Sequence, residues 1–341
     1  MPTAEGVLAV ARELADDVLF PDAMRVERLD VLPVAHLDAF AAAGLYGAPA
    51  PADAGGLGLD LCEVGGVVEE LAGGCLAAAF VLIQHFRLVM TLAADSAPPA
   101  LRDRWLASAC QGRTRGGIAL TGLIPGPPQL RAEPAEGGWR LDGTAPWVTG
   151  WGLIDLVQVV ARGPDDTVAT LIMDAAAQPG LAVTRQRLAA VDASVTVRLG
   201  FGGVLIPQDR FVDQVPFDPA VSVQPAGLRL NGSLALGLAR RCCRILGPGP
   251  LDDEVTACRE RLDAALGTGP GPMAEARAAA SEIALRAAAA LAVRDGGNAV
   301  TVDQHAQRLA REAVFLLVFG SRPGIKSALL QRLGAAAPIG E

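Results

Sequence analysis

Within residues 137–149, GGWRLDGTAPWVT, an indole and a hydroxyl fall two residues apart on a segment that reads as a β-strand. Side chains at i and i+2 of a strand share a face, so Trp147 and Thr149 are expected side by side. An aromatic wall beside a hydrogen-bonding hydroxyl suits a flat ring with a polar edge, although such pairs also pack ordinary cores. Other reactive side chains are sparse. Cysteines 62, 75, 110, 242, 243 and 258 show no CxxC spacing, and histidines 36, 85 and 305 lie too far apart for a local metal motif. They read as packing residues in a reducing compartment, with no metal site.

The elements that must position that pair follow from pattern. GGIALTGL (116–123) precedes it; DLVQVVAR, TVATLIMD, a turn at Gln178, Pro179 and Gly180, LAVTRQRL and SVTVRLGFGGVLI follow, closed by Pro207. Short β-branched runs punctuated by Gly, Pro and Asp predict an antiparallel sheet or small barrel. The first third reads as helices: 33–43 starts at a proline and stops at Gly44, and Asp60 with Glu63 forms a capping box ahead of the stripe Leu61, Val64, Val67, Val68 and Leu71. The last third is helical too, with breaks at 247–250, 267–272 and 295–297 and an Ala-rich helix over 273–294, which predicts a bundle.

The chain has 341 residues, 51% hydrophobic and 4% aromatic, with a net charge of −8. That charge argues against a nucleic-acid partner, which needs clustered basic residues. Lys326 is the only lysine. The N-terminal apolar run is broken by Arg12 and Glu13, and the apolar runs 77–90 and 283–293 are interrupted by polar residues, short of the ~20 needed to span a bilayer. A cytoplasmic protein without a membrane partner is expected.

In their order, these segments resemble the acyl-CoA dehydrogenase family. LAAVDASVTVRLGFGGVLIPQDRFV is similar to that family's closing sheet segment, L-G-x-R-x-S-x-T-x-x-L-x-F-x-x-V-x-V-P. The block 32–71, with Glu69, Glu70 and Leu71, is similar to its entry motif and E-E-L helix. The resemblance covers about 300 residues and implies an α+β multidomain fold: an N-terminal helical domain (1–115), a central antiparallel β-domain carrying the flavin face (116–217) and a C-terminal helical bundle (218–341). It implies FAD as cofactor, with Thr121 at the pyrimidine edge, Trp147 shielding the ring, Thr149 reaching N5, and Gly296 and Gly297 as the paired glycines of the last domain. It further implies an acyl thioester, of CoA or a carrier protein, as ligand, in a homo- or hetero-oligomer.

The departures from the family bear on function. Gly320 occupies the position of the usual Glu base, and Gly227 or Leu228 that of a second branch's base, so no catalytic residue is assigned. Glycine cannot accept a proton, but the Gly320 N–H remains as a donor of the oxyanion-hole type. The pyrophosphate-gripping R-x-x-F-G loop is replaced by GPGPLDDEVTACRERL, acidic at Asp252, Asp253 and Glu254, and Gly122 replaces a Glu after Thr121. Three readings follow: a subunit of a heteromeric acyl-CoA dehydrogenase whose related partner supplies the base; a homo-oligomeric flavin oxidase, monooxygenase or reductase needing no base; or a flavin-free binding or structural partner. Glu312 is expected to pair with an arginine of the bundle and His85 to serve helix packing; Arg229 and Asn231, near the expected thioester, are expected to cap the first C-terminal helix, a polar contact to the acyl group being the alternative.

Overall fold

The computed structural model describes residues 3–218 and 224–336, in which helices precede and follow an eight-stranded sheet. Helix α1 (Ala4–Leu14) opens on Thr3, whose Oγ1 accepts the Gly6 N–H at 3.1 Å, and runs through a π-helical turn (Ala15–Leu19) into α2 (Phe20–Val26). Helix α3 (Val34–Ala42) begins after Pro33 and is ended by Gly44 at φ +69°, a conformation that glycine adopts without steric cost. The capping box is present: Asp60 Oδ1 accepts from Glu63 N and Glu63 Oε2 from Asp60 N, both at 2.8 Å, at the head of α4 (Leu61–Gly74). Helices α5 (Leu76–Ala93) and α6 (Pro99–Cys110) complete this part.

The stripe expected on α4 is buried at Val64, Val67, Val68 and Leu71, but Glu69, Glu70 and both terminal glycines are buried with it. Helix α4 is therefore enclosed on all sides rather than amphipathic, because α1, α5 and a helix from the far end of the chain all pack on it. Helix α5 corrects the expectation that no stretch is long and apolar enough to cross a membrane. It meets that measure by length and composition, with 78% of its 18 residues buried inside the fold.

The strands are β1 (Gly116–Ala119), β2 (Leu130–Ala135), β3 (Gly138–Val148), β4 (Leu156–Arg162), β5 (Thr167–Asp174), β6 (Leu181–Arg185), β7 (Val197–Pro207) and β8 (Phe211–Pro216), in the order β6-β7-β3-β2-β4-β5-β8 with β1 beside β4. Pairing is mostly antiparallel, but β1 lies parallel to β4, and β2 touches β4 in parallel at Arg131 and Arg162. Along β3 the register with β7 breaks between Ala145 and Val148. Pro146 has no N–H to give to the ladder, so the chain bulges there and Trp147 leaves the paired surface.

The second helical part comprises α7 (Pro225–Leu246), α8 (Pro250–Ala264), α9 (Pro270–Asp295), α10 (His305–Val318) and α11 (Pro323–Arg332). The breaks between α7 and α8, α8 and α9, and after α9 fall where the Gly- and Pro-rich segments placed them, and proline opens four of the five helices. Helices α4 and α7 cross at Gly73 and Gly237; a Cβ on Gly237 would overlap the Glu69 carbonyl. Backbones this close bring α7 and α8 arginines onto α4's acids. Arg240 of α7 reaches Glu70 at 2.9 Å and Arg259 of α8 reaches Glu69 at 2.6 Å, and Arg12 of α1 joins them at 3.0 Å from Glu70. Burial alone would raise the Glu70 carboxyl; the Arg12 hydrogen bond and the charges of Arg240 and Arg244 bring it below its ordinary value. This buried ion cluster ties the two helical parts together across the sheet's insertion point in the sequence.

Candidate active site

Thr149 lies one residue beyond the end of β3. The expected sharing of one strand face with Trp147 therefore does not hold: the bulge at Pro146 turns the indole outward, 63% exposed, while Thr149 is buried. The Thr149 hydroxyl sits 3.1 Å from that of Thr196, and Gly150 N–H donates to Ser194 O at 2.9 Å. A pair of hydroxyls has one proton to share between them and one left to donate onward. The loop that supplies this partner is strained, since Val191 and Val195, both β-branched, have φ +55° and +51°. Leu32 N–H holds the same loop by donating to Ala193 O at 2.8 Å, and Leu188 N–H by donating to Asp192 Oδ1 at 2.8 Å.

Thr121 is buried in a single 3-10 turn (Thr121–Leu123) that follows β1. At Gly122 a Cβ would lie 2.6 Å from the Ala161 backbone of β4, which leaves no room there for a larger side chain. On the same strand β1, a Cβ on Gly117 would come within 3.1 Å of Thr149 O, so β1 and the end of β3 converge. Gly150 in turn faces Val81 of α5. Next to Val81, Phe80 meets Phe319 and Phe315 edge-on with centroids 4.7 and 5.3 Å apart, and Phe315 stacks on Phe319. Helix α5 thus bridges the Thr149 turn to the residue preceding Gly320.

Gly320 follows the end of α10 with φ +61°, and a Cβ on it would lie 2.6 Å from Asn231 Nδ2. The α10 terminus is fixed by Arg277 on α9, fully buried, whose Nη2 donates to Leu316 O and Phe319 O at 3.2 and 3.3 Å. Burial without a carboxylate partner pushes this guanidinium down to about 10, so it still carries its charge at the helix's negative end. Gly227, one turn before Asn231 on α7, has open space around its Cβ direction.

Two expectations about α7 are corrected. The helix starts at Pro225, so Arg229 and Asn231 lie inside it and cap nothing. Arg229 is fully buried, bonded to Asp263 at 2.6 Å, and Gly65 is glycine because a Cβ would press on its guanidinium at 2.7 Å. Glu312 pairs with Arg308 at 2.8 and 3.0 Å as expected. His85 does more than pack: its Nδ1 accepts Gly116 N–H at 2.9 Å, joining α5 to β1, and burial pushes it down to about 3. The acids of the replaced loop are engaged locally, Asp252 Oδ2 accepting Gly249 N–H at 2.9 Å and Glu254 pairing with Arg286 at 2.6 Å.

Through Val81 and Phe80, α5 links the turn after Thr149 to Phe319, the residue before Gly320, while Thr121 follows β1, whose Gly117 lies against Thr149 O. The chain leaves Gly296 and Gly297 apart, in an exposed turn after α9 with Val293, Val300 and Val302 about 80% exposed around it. Reading the sequence missed Thr196 and Arg277. A buried hydroxyl pair, an open aromatic and a β1–β3 junction fit the ring of a flavin; the tight acidic turn before α8 does not fit its pyrophosphate.

The architecture defines the class of fold: a helical part, an eight-stranded sheet and a second helical part. Residues 2–113 match the family model "Acyl-CoA dehydrogenase, N-terminal domain", and the chain as a whole has the acyl-CoA dehydrogenase fold. It is similar to the mitochondrial short-chain specific acyl-CoA dehydrogenase of Homo sapiens, 23% identical over 248 residues, which cover 70% of this chain and 60% of that protein. The match thus spans less than two thirds of that relative's length. Among solved structures it superposes on a chain from a study of the electron transferring flavoprotein of Acidaminococcus fermentans (TM-score 0.84) and on butyryl-CoA dehydrogenase from Megasphaera elsdenii (TM-score 0.81). Both are 19% identical, with 97% of each chain covered.

Proposed function

We propose that this chain is a FAD-binding oxidoreductase subunit of the acyl-CoA dehydrogenase type that holds an acyl thioester and works with a related chain supplying the catalytic base. The observation that carries this reading is Gly320. The position from which relatives present their carboxylate holds a residue without a side chain, at a φ that disfavours any other, against the amide of Asn231. When bound, FAD supplies the two-electron acceptor for oxidation of a CH–CH bond. The chain's own residues would give Trp147 as a wall for the ring, the hydroxyls of Thr121 and Thr149 as contacts to its polar edge, and the Gly320 N–H as a donor to the thioester oxygen. None of them removes a proton.

Dependence on a related chain rests on two features. The exposed Val293, Val300 and Val302 around Gly296 and Gly297 form an apolar rim in the region the resemblance assigns to cofactor contact, and the local engagement of Asp252 and Glu254 leaves no arm for a pyrophosphate. We place the protein in the cytoplasm, without a membrane or nucleic-acid partner. Expression alone and together with a neighbouring related gene tests the reading: stoichiometric FAD in a mixed oligomer, and weak or no flavin in the lone chain, is expected. A yellow, FAD-saturated homo-oligomer would support the base-free flavoenzyme instead, and a colourless protein in both preparations would point to a flavin-free partner.

A further inference from the structure

Of the two places the resemblance assigns to a carboxylate, 320 and 227 or 228, the first lies directly against a side chain of α7, and the second lies on the same helix within one turn of it. Residues 227 and 231 are four apart on α7 and share a face, and Asn231 Nδ2 lies 2.6 Å from where a Cβ on Gly320 would be. We propose that Asn231 is the substrate-positioning residue of this site, its Nδ2–H donating a hydrogen bond to the carbonyl oxygen of an acyl thioester in the space a proton-abstracting carboxylate would otherwise take. The proposal rests on the acyl-thioester reading above and adds what the chain puts in the base's place.

The chemistry follows from the amide. A carboxylate there accepts hydrogen bonds and protons; an amide offers two donors and does not take up a proton at working pH. Among the described residues the Asn231 side chain has no hydrogen-bond partner, so its donors remain for a ligand. The surroundings hold it to that task. Phe319, which precedes Gly320, packs with Phe80 and Phe315 in an aromatic cluster, Arg277 fixes the Phe319 carbonyl and with it the turn at Gly320, and the Gly320 backbone N–H is a second donor of that turn. Polar donors at an apolar wall match a thioester: an oxygen to be polarised on an alkyl chain to be buried. Such a site retains and polarises an acyl thioester without deprotonating it.

Calorimetric titration of the FAD-loaded protein, in the oligomer in which it purifies, with butyryl-CoA and with S-butyl-CoA, the thioether lacking the carbonyl oxygen, tests this. The wild type is expected to prefer the thioester. Asn231→Ala should remove about two- to tenfold of that preference while leaving S-butyl-CoA affinity and the flavin spectrum unchanged; a purely structural role would weaken both ligands alike. Asn231→Asp, nearly the same shape, should invert the preference, since its carboxylate repels the carbonyl oxygen. An undiminished preference in Asn231→Ala, or equal wild-type affinity for both ligands, would overturn the role of Asn231 and leave the thioester reading standing. FAD-loaded protein that binds neither ligand would overturn both.

Discussion

At position 320, backbone and space act together. A φ of +61° costs a non-glycine residue about 1–2 kcal/mol, and its Cβ would press on Asn231. Gly320→Glu is therefore expected to lower unfolding stability by about 1–3 kcal/mol and to add no dehydrogenase activity. Gly227→Glu enters open space within a helix, where replacing glycine is neutral or favourable by up to about 1 kcal/mol. Denaturant titration of the two variants separates them, and equal stability would remove the steric argument. Trp147 is the other residue whose setting calls for explanation, an indole held open by a bulge. Trp147→Ala should weaken FAD retention at unchanged melting temperature, because the ring makes little contact within the chain; unaltered FAD affinity on titration would take Trp147 out of the site.

At the level of elements, the junction of α5 with β1 runs through one buried histidine. His85 is held neutral, its folded value of about 3 lying below the ordinary 6.5. The unfolded chain thus binds a proton between those values that the folded chain refuses, so this contribution to stability is full above about 6.5 and is lost as pH falls toward 3. Its share of the slope is up to about 1.4 kcal/mol per pH unit. His85→Asn keeps an acceptor near Gly116 N–H without a titrating ring, and it should flatten the pH dependence of unfolding free energy between pH 6.5 and 4.5; His305, also pushed down to about 4, retains its part. An unchanged slope would contradict the account. What the sequence reveals about elements follows the same locality. The capping box at Asp60, the stop at Gly44 and the breaks of the last third were legible because each is written in adjacent residues. The enclosure of α4 and the parallel pairing of β1 with β4 were not, since they depend on α7 and on a crossing of the chain.

For the whole molecule, the order of helices, sheet and helices was legible, because it follows from motif order along the chain. The site's real neighbours were not: Thr149 with Thr196, Asn231 with Gly320 and Arg277 with Phe319 are joined only by folding, across 47, 89 and 42 positions. Nor did spacing reveal that the Pro146 bulge parts Trp147 from Thr149. The assembled picture is a scaffold of helices around one sheet in which Asn231 stands against Gly320 and the turn at Gly296 and Gly297 lies exposed beside Val293, Val300 and Val302; the proposed function reads the first as a thioester contact and the second as a surface for a related chain. The most direct test is turnover of a panel of acyl-CoAs by the purified lone chain, saturated with FAD and given an artificial electron acceptor. The account predicts no turnover above the flavin blank for the lone chain and acyl-CoA oxidation on addition of the related subunit. Robust oxidation by the lone, unmodified chain would show that a base is present within it and would contradict the account.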